Sequence, residues 1–379
     1  MSRILYITRK YPPSIGGMEK LSYEISTRLQ EISSVSVVAW GHSQLYLPFF
    51  LPYAASRATI DLLRAPADVL YVGDALLSPL CVALGRLFGT PTVVTIHGLD
   101  ITFANAAYQR IVPRCLRNVD LLICISTYAR DQCLERGIPS HKCRVIRPGV
   151  EFHDPPAGGK YGARQILSSL IEKPLDGQQI MLTVGRLVPR KGVLHFVADI
   201  LPALLHKCPN VHYIVIGGGP QKEAIKRTVQ ILGLEHAVSL LGHVDDSTRR
   251  SVYDASDLFV MPNLPMERDV EGFGLVALEA AAAGLWVVAS KVDGIPDAVT
   301  EGQNGFLIEP GDTDTYVEVI SSLLTDSEKT ARLGERAREY VQQSYSWDRV
   351  IAQYGEEFDQ LIRKHSNEAQ ESIGRETHH

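Results

Sequence analysis

Long apolar runs are missing from this chain of 379 residues. No uninterrupted apolar stretch approaches 18 residues, which excludes a helix that crosses a bilayer. The first apolar run, Ile4-Leu5-Tyr6-Ile7, is too short for the core of a secretory signal and reads as a strand. Paired cysteines are missing too. The six cysteines, at 81, 115, 124, 133, 143 and 208, form no CxxC pair. They read as buried thiols of a reducing cytosol, which excludes a disulfide frame or a zinc ribbon. The G-x-G-x-x-G spacing of a dinucleotide fingerprint is absent. So is a basic stripe with interleaved aromatics, and nucleic acid is therefore not expected as a partner.

What remains is an ordinary globular composition, 45% hydrophobic and 21% charged. The length suggests two domains. Net charge is −5, but it is uneven: residues 1–150 carry 16 Lys+Arg against 10 Asp+Glu. The remainder carries 22 against 33. A basic N-terminal half on an acidic protein points to an anionic partner for that half, such as lipid headgroups or a lipid-linked phosphate.

Short β-type runs alternate with longer helical stretches, the βαβ signature of a parallel sheet covered by helices. Strands are expected at Ile4–Thr8, Val35–Trp40, Val69–Val72, Thr92–Ile96, Leu121–Ile125 and Arg144–Ile146. A second series covers Ile180–Val184, Val211–Ile216, Val238–Leu241, Leu258–Met261, Trp286–Ser290 and Gly305–Ile308. The fold class is therefore α/β, with two doubly wound Rossmann-like domains facing a central cleft. The expected organisation is an N-terminal domain over 1–150, a hinge over 151–164, a second domain over 165–345, a helix over 347–363 and a disordered tail over 366–379. In such sheets ligands sit outside the carboxyl ends of the strands.

Several segments at strand ends carry candidate chemistry. Tyr11-Pro-Pro-Ser-Ile-Gly16-Gly17 follows the first strand, and adjacent glycines allow a close backbone approach to a ligand or simply a tight turn. Thr95-Ile-His97-Gly98-Leu-Asp100 ends another strand, where a lone histidine is more often structural. Gly185-Arg186-Leu-Val-Pro-Arg190-Lys191-Gly192 puts three cations between a strand and a helix, a set suited to two phosphates or to a solvated basic turn. Ile216-Gly217-Gly218-Gly219-Pro220 is a glycine turn. Asp245 and Asp312 read as helix caps and not as metal ligands. Glu271-Gly272-Phe273-Gly274-Leu275-Val-Ala-Leu-Glu279 sets one carboxylate in a glycine-bracketed loop and a second inside the following helix. Eight residues of helix span roughly 12 Å, about the reach needed to touch both ends of a nucleotide sugar. Chance alone places two glutamates at this spacing in many helices, so the flanking glycines and the other segments carry the weight.

Taken in order, these segments resemble retaining glycosyltransferases of the GT-B fold, family 4. The resemblance covers residues 1 to about 363. It implies a donor site made of Gly16, Gly17, Arg186, Lys191, Gly217, Gly218, Val244, Glu271, Gly272, Phe273, Gly274, Leu275 and Glu279. By that resemblance Glu271 holds hydroxyls of the donor sugar and Glu279 those of the ribose. Arg186 and Lys191 clamp the diphosphate, and His97 lies near the transferred sugar. Asp100 orders its loop or meets the acceptor. The backbone around Val244 reads the base, and the helix over 347–363 packs back on the first domain. Arg190 is read as a surface residue.

The implied reaction moves a hexosyl group from a nucleotide diphosphate sugar to an acceptor hydroxyl with retention. No cofactor or metal is expected, since Arg, Lys and helix dipoles can neutralise the leaving diphosphate. Asp269-Val270-Glu271-Gly272 resembles the version found in mannosyltransferases that use GDP-mannose. The acceptor is expected to be a lipid-linked saccharide or glycolipid. The alternatives are a UDP-sugar-dependent glucosyl- or N-acetylglucosaminyltransferase, a sugar-nucleotide epimerase of the same fold, and a binding protein with a vestigial site. Residues 45–55 hold four aromatics and two prolines, and read as a loop for a bilayer interface or, equally, for the core. Arg110, Arg114 and Arg117 share a helical face. Together these lead to an expected cytoplasmic location with peripheral attachment to the inner face of the membrane.

Overall fold

Each of the twelve apolar runs becomes a parallel strand in the computed structural model. It describes residues 1–42 and 46–376; for residue 369 and residues 371–376 only the backbone path is described. The chain divides into two units. Unit 1 is Met1–Gly149 joined by the chain from Trp347 onward, and unit 2 is Val150–Ser346.

In unit 1 the strands are β1 Arg3–Thr8, β2 Ser34–Ala39, β3 Val69–Val72, β4 Thr92–Ile96, β5 Leu121–Cys124 and β6 Cys143–Val145. They lie in the order β2-β1-β3-β4-β5-β6. Every pair is parallel. β3 and β4 are buried along their whole length, as expected where helices cover both faces. The helix from Trp347 packs on this sheet: Phe358 meets Tyr71 edge-on at 5.6 Å. The Arg28 guanidinium sits 5.4 Å above the Trp347 ring. This helix continues to Glu376, through residues 366–376 where the sequence suggests an irregular tail. Residues 377–379 lie outside the described residues.

In unit 2 the strands are β7 Gln179–Val184, β8 Val211–Ile216, β9 Val238–Gly242, β10 Leu258–Met261, β11 Trp286–Ser290 and β12 Gly305–Ile308. Their order is β12-β11-β10-β7-β8-β9, all parallel. The strand order reverses between β7 and β10, which makes the crevice beyond Val184 and Met261 the topological switch point. The two predicted caps are present. Asp245 Oδ1 accepts from Thr248 N at 2.7 Å, and Asp312 Oδ1 from Thr315 N at 3.1 Å.

Two further expectations are corrected. The expected hinge over 151–164 does not stay open, because a helix begins at Gly159 and runs to Ile171. Arg164 and Lys160 pair with Asp257 at 2.5 and 2.7 Å, which fixes this helix to unit 2. The segment 45–55 is not a loop either. Leu45 lies outside the described residues, and Leu47–Arg64 is a helix. Pro48 sits in its first turn, where no N–H is needed, and Pro52 gives up only one interior bond. Phe50, Ala54, Ala58 and Leu62, spaced by four, bury one face in the unit 1 core. That buried stripe holds the helix in place despite the prolines.

Candidate active site

The turn after β7 is built on close backbone contact. Leu187 N donates to Gly218 O, and Gly217 N to Gly242 O. A Cβ on Gly217 would lie 1.9 Å from Gly185 O, so only glycine allows the two turns to touch. Gly192, at φ 66°, faces Pro262 O, and a Cβ there would lie 1.7 Å from it. This contact draws the turn after β7 against the loop after β10, at the switch point. Lys191 is thereby brought to Glu271.

Glu271 is fixed almost completely. Its Oε2 receives Lys191 Nζ at 2.6 Å, Asn263 Nδ2 at 3.0 Å and a short contact from Arg190 Nη1. Its backbone N–H donates to Asp293 Oδ2 at 2.9 Å, and its C=O accepts from Gly294 N at 2.9 Å. Oε1 makes no hydrogen bond or ion pair among the described residues. One oxygen is anchored and the other is left to accept from a ligand. Burial opposes the charge on Glu271, but Lys191 and Arg190 outweigh it and hold the carboxyl below its ordinary value. Asp293 moves the other way: burial and the nearby Glu271 charge raise it despite the hydrogen bond it accepts.

Arg190, read from the sequence as a surface residue, is instead mostly enclosed, with its side chain 13% exposed. Its guanidinium bridges Asp269 Oδ1, at 2.9 Å, and Glu271. A run of basic residues gives no sign of which cation turns inward; the partner carboxylates decide it. Sequence reading also missed Asn263 and Asp293. Both sit at the carboxyl end of a strand beside a glycine or proline turn, a position that could have marked them. Asn263 is buried, and its Oδ1 has no hydrogen-bond partner among the described residues. Asp293 adopts a left-handed φ of 49°, which Asp tolerates better than most residues.

Arg186 is exposed and makes no ion pair among the described residues. Glu279 stands apart from the Lys191 cluster. It accepts from Tyr253 OH at 3.2 Å and lies 3.8 Å from Arg249 Nε. The helix that carries it, Leu275–Ala282, starts after Gly274 at φ 101° with no side-chain cap. Ala277 N donates to Gly274 O at 2.9 Å, while the N–H groups of Leu275 and Val276 make no hydrogen bond outside the helix among the described residues and are placed to meet an anion. Gly272 and Leu275 are half-buried, whereas the Phe273 ring is buried, so Phe273 could meet a donor only through its backbone. Val244, after β9, is half-buried, and its backbone makes no hydrogen bond among the described residues. The Gly218 backbone packs against His243 Nε2, which lies 2.6 Å from where a Cβ would stand.

The other expected residues belong to unit 1. His97 Nε2 donates to Gly73 O at 2.8 Å, which fixes the ring and leaves Nδ1 as its other polar atom. Asp100 accepts from the backbone N–H groups of Ala75, His97 and Ile101 at 3.0, 2.9 and 2.9 Å. It orders the loop after β4 in this way, and burial raises its carboxyl above the ordinary value. Gly16 lets the Glu19 carboxylate fold back over the turn: a Cβ would lie 2.2 Å from Glu19 Oε2. Glu19 in turn pairs with Lys10 at 3.0 Å. Gly17 begins the helix Gly17–Leu29.

Comparison with known proteins matches both units. A family model described as Glycosyl transferases group 1 matches residues 170–340. A second, Glycosyl transferase 4-like domain, matches residues 17–149. The chain is 26% identical over 386 residues to the GDP-mannose-dependent alpha-(1-6)-phosphatidylinositol monomannoside mannosyltransferase of Mycobacterium tuberculosis, covering 93% of this chain and 97% of that protein. It is 27% identical to a glycogen synthase of the same species, covering 92% of each. Among solved structures, Anabaena HepE in complex with UDP and glucose superposes with a TM-score of 0.76 at 21% identity, covering 95% of this chain and 100% of that one. The likeness shows an α/β two-domain GT-B fold.

Proposed function

Because this chain belongs to the GT4-type glycosyltransferases, we propose that it transfers a mannosyl group from GDP-mannose, with retention, to a hydroxyl of a lipid-linked saccharide or glycolipid. The observation that carries the donor-sugar site is Glu271, with Oε2 held by Lys191 and Oε1 without a partner among the described residues. A carboxylate fixed in this way can take a sugar hydroxyl without first giving up a partner. Lys191 and Arg186 would face the diphosphate. As the bond from the anomeric carbon to the phosphate oxygen breaks, negative charge grows on that oxygen, where fixed cations stabilise most. The acceptor oxygen bonds to the anomeric carbon on the same face, and its proton passes to the leaving phosphate oxygen. Glu271 orients and does not attack, so the two-carboxylate scheme of glycosidases does not apply. These cations and the uncapped helix at Leu275 supply the neutralisation that a metal would otherwise provide, and metal-independent transfer is part of the proposal.

The GDP-mannose choice draws on the Asp269–Gly272 segment and on the mannosyltransferase relative. A UDP-glucose donor is the second reading, favoured by the UDP and glucose bound to HepE. Titration of the protein with GDP, UDP and ADP and with their common sugars separates the two. Selective stabilisation by GDP and GDP-mannose is expected. Selective response to UDP-glucose would replace the donor, and no response to any nucleotide would remove the transferase reading.

The proposed location rests on the surface of unit 1. No helix among the described residues is long and apolar enough to cross a membrane. The outer face of Leu47–Arg64 nevertheless exposes Phe49, Tyr53, Ile60 and Leu63, all at least 44% accessible. Arg57 and Arg64 flank it, and Arg110 and Arg114 are exposed on the helix Ala106–Leu116. Such a face supports peripheral attachment to an anionic bilayer at its cytoplasmic side. Arg117 leaves the expected stripe, because its guanidinium donates to Arg136 O and Gly137 O at 2.6 and 3.1 Å.

A further inference from the structure

We infer that Arg190 positions Glu271 for the donor sugar by fastening the 262–271 loop to the turn after β7, an inference that rests on the donor-site reading above. The loop needs a fastener. Residues 265–268, Pro-Met-Glu-Arg, are all exposed, and they connect the end of β10 to Glu271. These four positions bury little of their own, and although the Glu271 backbone is held by Asp293 and Gly294, the direction of its carboxylate depends on side chains that reach across the loop. Arg190 grips it at three points. Its backbone C=O accepts from Leu264 N at 2.9 Å. Its Nε donates to Asp269 Oδ1 at 2.9 Å, and Nη1 donates to Glu271 Oε2.

The choice of side chain matters. A guanidinium is a rigid planar fork, so it can fix the separation and angle of two carboxylates at once. Lys191 is a point charge on a flexible stem and cannot do so alone. With Lys191, Arg190 and Asn263 all on Oε2, the group is pinned by one oxygen and presents the other. The pinning sets which way Oε1 points, and hence which sugar hydroxyls reach it. Arg190 itself needs no contact with the ligand to set this geometry. It is therefore a positioning residue, and its loss should be felt at the sugar and not at the nucleotide.

The test compares the affinity of the full chain for GDP and for GDP-mannose by calorimetry, across pH 4 to 8. In the wild type the ratio of the two dissociation constants measures the sugar contribution. Arg190→Gln should shrink that ratio by about tenfold while GDP affinity changes by less than about twofold, the scale of one charge-assisted hydrogen bond. The acid limb of GDP-mannose binding should also move to higher pH, an effect that simple loosening of the fold would not produce. Arg190→Lys should restore the limb but not the full ratio. Asp269→Asn, at a carboxylate 43% exposed, tests the same clip where folding is not at stake. It should shrink the ratio in the same direction, and by no more when added to Arg190→Gln. A wild-type ratio in Arg190→Gln, or in Asp269→Asn should Arg190→Gln not fold, overturns the inference. A wild type that binds neither GDP and GDP-mannose nor UDP and UDP-glucose overturns the donor-site reading instead.

Discussion

Lys191 Nζ lies 2.6 Å from Glu271 Oε2, joining the turn after β7 to the loop after β10. Both side chains are largely enclosed, at 10% and 14% exposure, so the pair is little screened by solvent. The contact links a residue assigned to the diphosphate with one assigned to the sugar. A donor that binds here would meet an arrangement of charge already in place, with no large reorganisation at the moment of reaction.

Lys191→Ala should therefore lower turnover by roughly a hundredfold or more, on the scale found when one charge-stabilising group is removed from a reacting site. The fold should persist, because Arg190 and Asn263 still satisfy Oε2. Initial rates of sugar transfer, with circular dichroism as the folding control, check this. Near-wild-type rates would remove Lys191 from the clamp. The same variant should shift the acid limb of donor binding. Lys191 helps hold the Glu271 carboxyl below its ordinary value, so losing it raises that value and the limb moves to higher pH.

Glu279→Ala should act on the nucleotide and not on the sugar. Glu279 lies beside Tyr253 and Arg249, outside the Lys191 cluster. A carboxylate that accepts two ribose hydroxyls contributes about 1.5–3 kcal/mol, so affinity for the free nucleoside diphosphate should fall by roughly tenfold or more. Calorimetry with GDP and UDP measures it directly, and an unchanged affinity would remove the ribose role. Glu279→Gln should retain part of the binding, since one acceptor oxygen remains.

The sheets were legible in the sequence because parallel strands are buried on both faces and read as unbroken apolar runs. Val69–Val72, Thr92–Ile96, Val211–Ile216 and Leu258–Met261 end where expected. The Lys191–Glu271 site was legible as two motifs, since glycines at strand ends are needed for backbone contact whatever surrounds them. Their pairing was not, and neither was Arg190, whose direction is set by Asp269 some 80 positions away in the chain. The helix over 47–64 was misread for a different reason. Two prolines outweighed a spacing of four among Phe50, Ala54, Ala58 and Leu62, when core burial decides the conformation. The disposition of residues 159–171 was hidden similarly, by glycines that start a helix instead of opening a hinge.

His212 predicts how unit 2 responds to acid. It is buried in β8, with Nε2 2.9 Å from Ser239 Oγ. Burial first, then the nearby Lys173 charge, lowers its pKa from 6.5 to about 4, against a hydrogen bond with the His236 backbone that favours the charged ring. The unfolded chain takes up this proton below its ordinary pKa, while the folded chain resists it until about pH 4. Stability from this group is therefore whole above about pH 6.5 and falls as pH drops toward 4. The full loss is on the order of 3 kcal/mol. His212→Gln keeps a hydrogen-bonding side chain and removes the titration. Its melting temperature should fall less than that of the wild type between pH 6.5 and 4 in differential scanning calorimetry. Parallel curves would mean that His212 is not the group responsible.

The outer face of the 47–64 helix predicts the membrane behaviour of unit 1. Phe49, Tyr53, Ile60 and Leu63 are exposed, whereas Phe50, Ala54, Ala58 and Leu62 hold the helix to the core. The outer set can therefore be changed without emptying the inner one. Replacing Phe49, Tyr53, Ile60 and Leu63 by serine should lower binding to vesicles of phosphatidylglycerol and phosphatidylcholine by tenfold or more, at about 1 kcal/mol or more for each apolar group withdrawn from the interface. Arg110→Glu with Arg114→Glu should weaken the same binding by a smaller amount that vanishes in high salt, since headgroup attraction is screened within roughly 10 Å. Sedimentation with vesicles measures both. If the serine variant sediments like the wild type, the face serves another partner, and the apolar surface of unit 1 must be explained by contact with protein or acceptor.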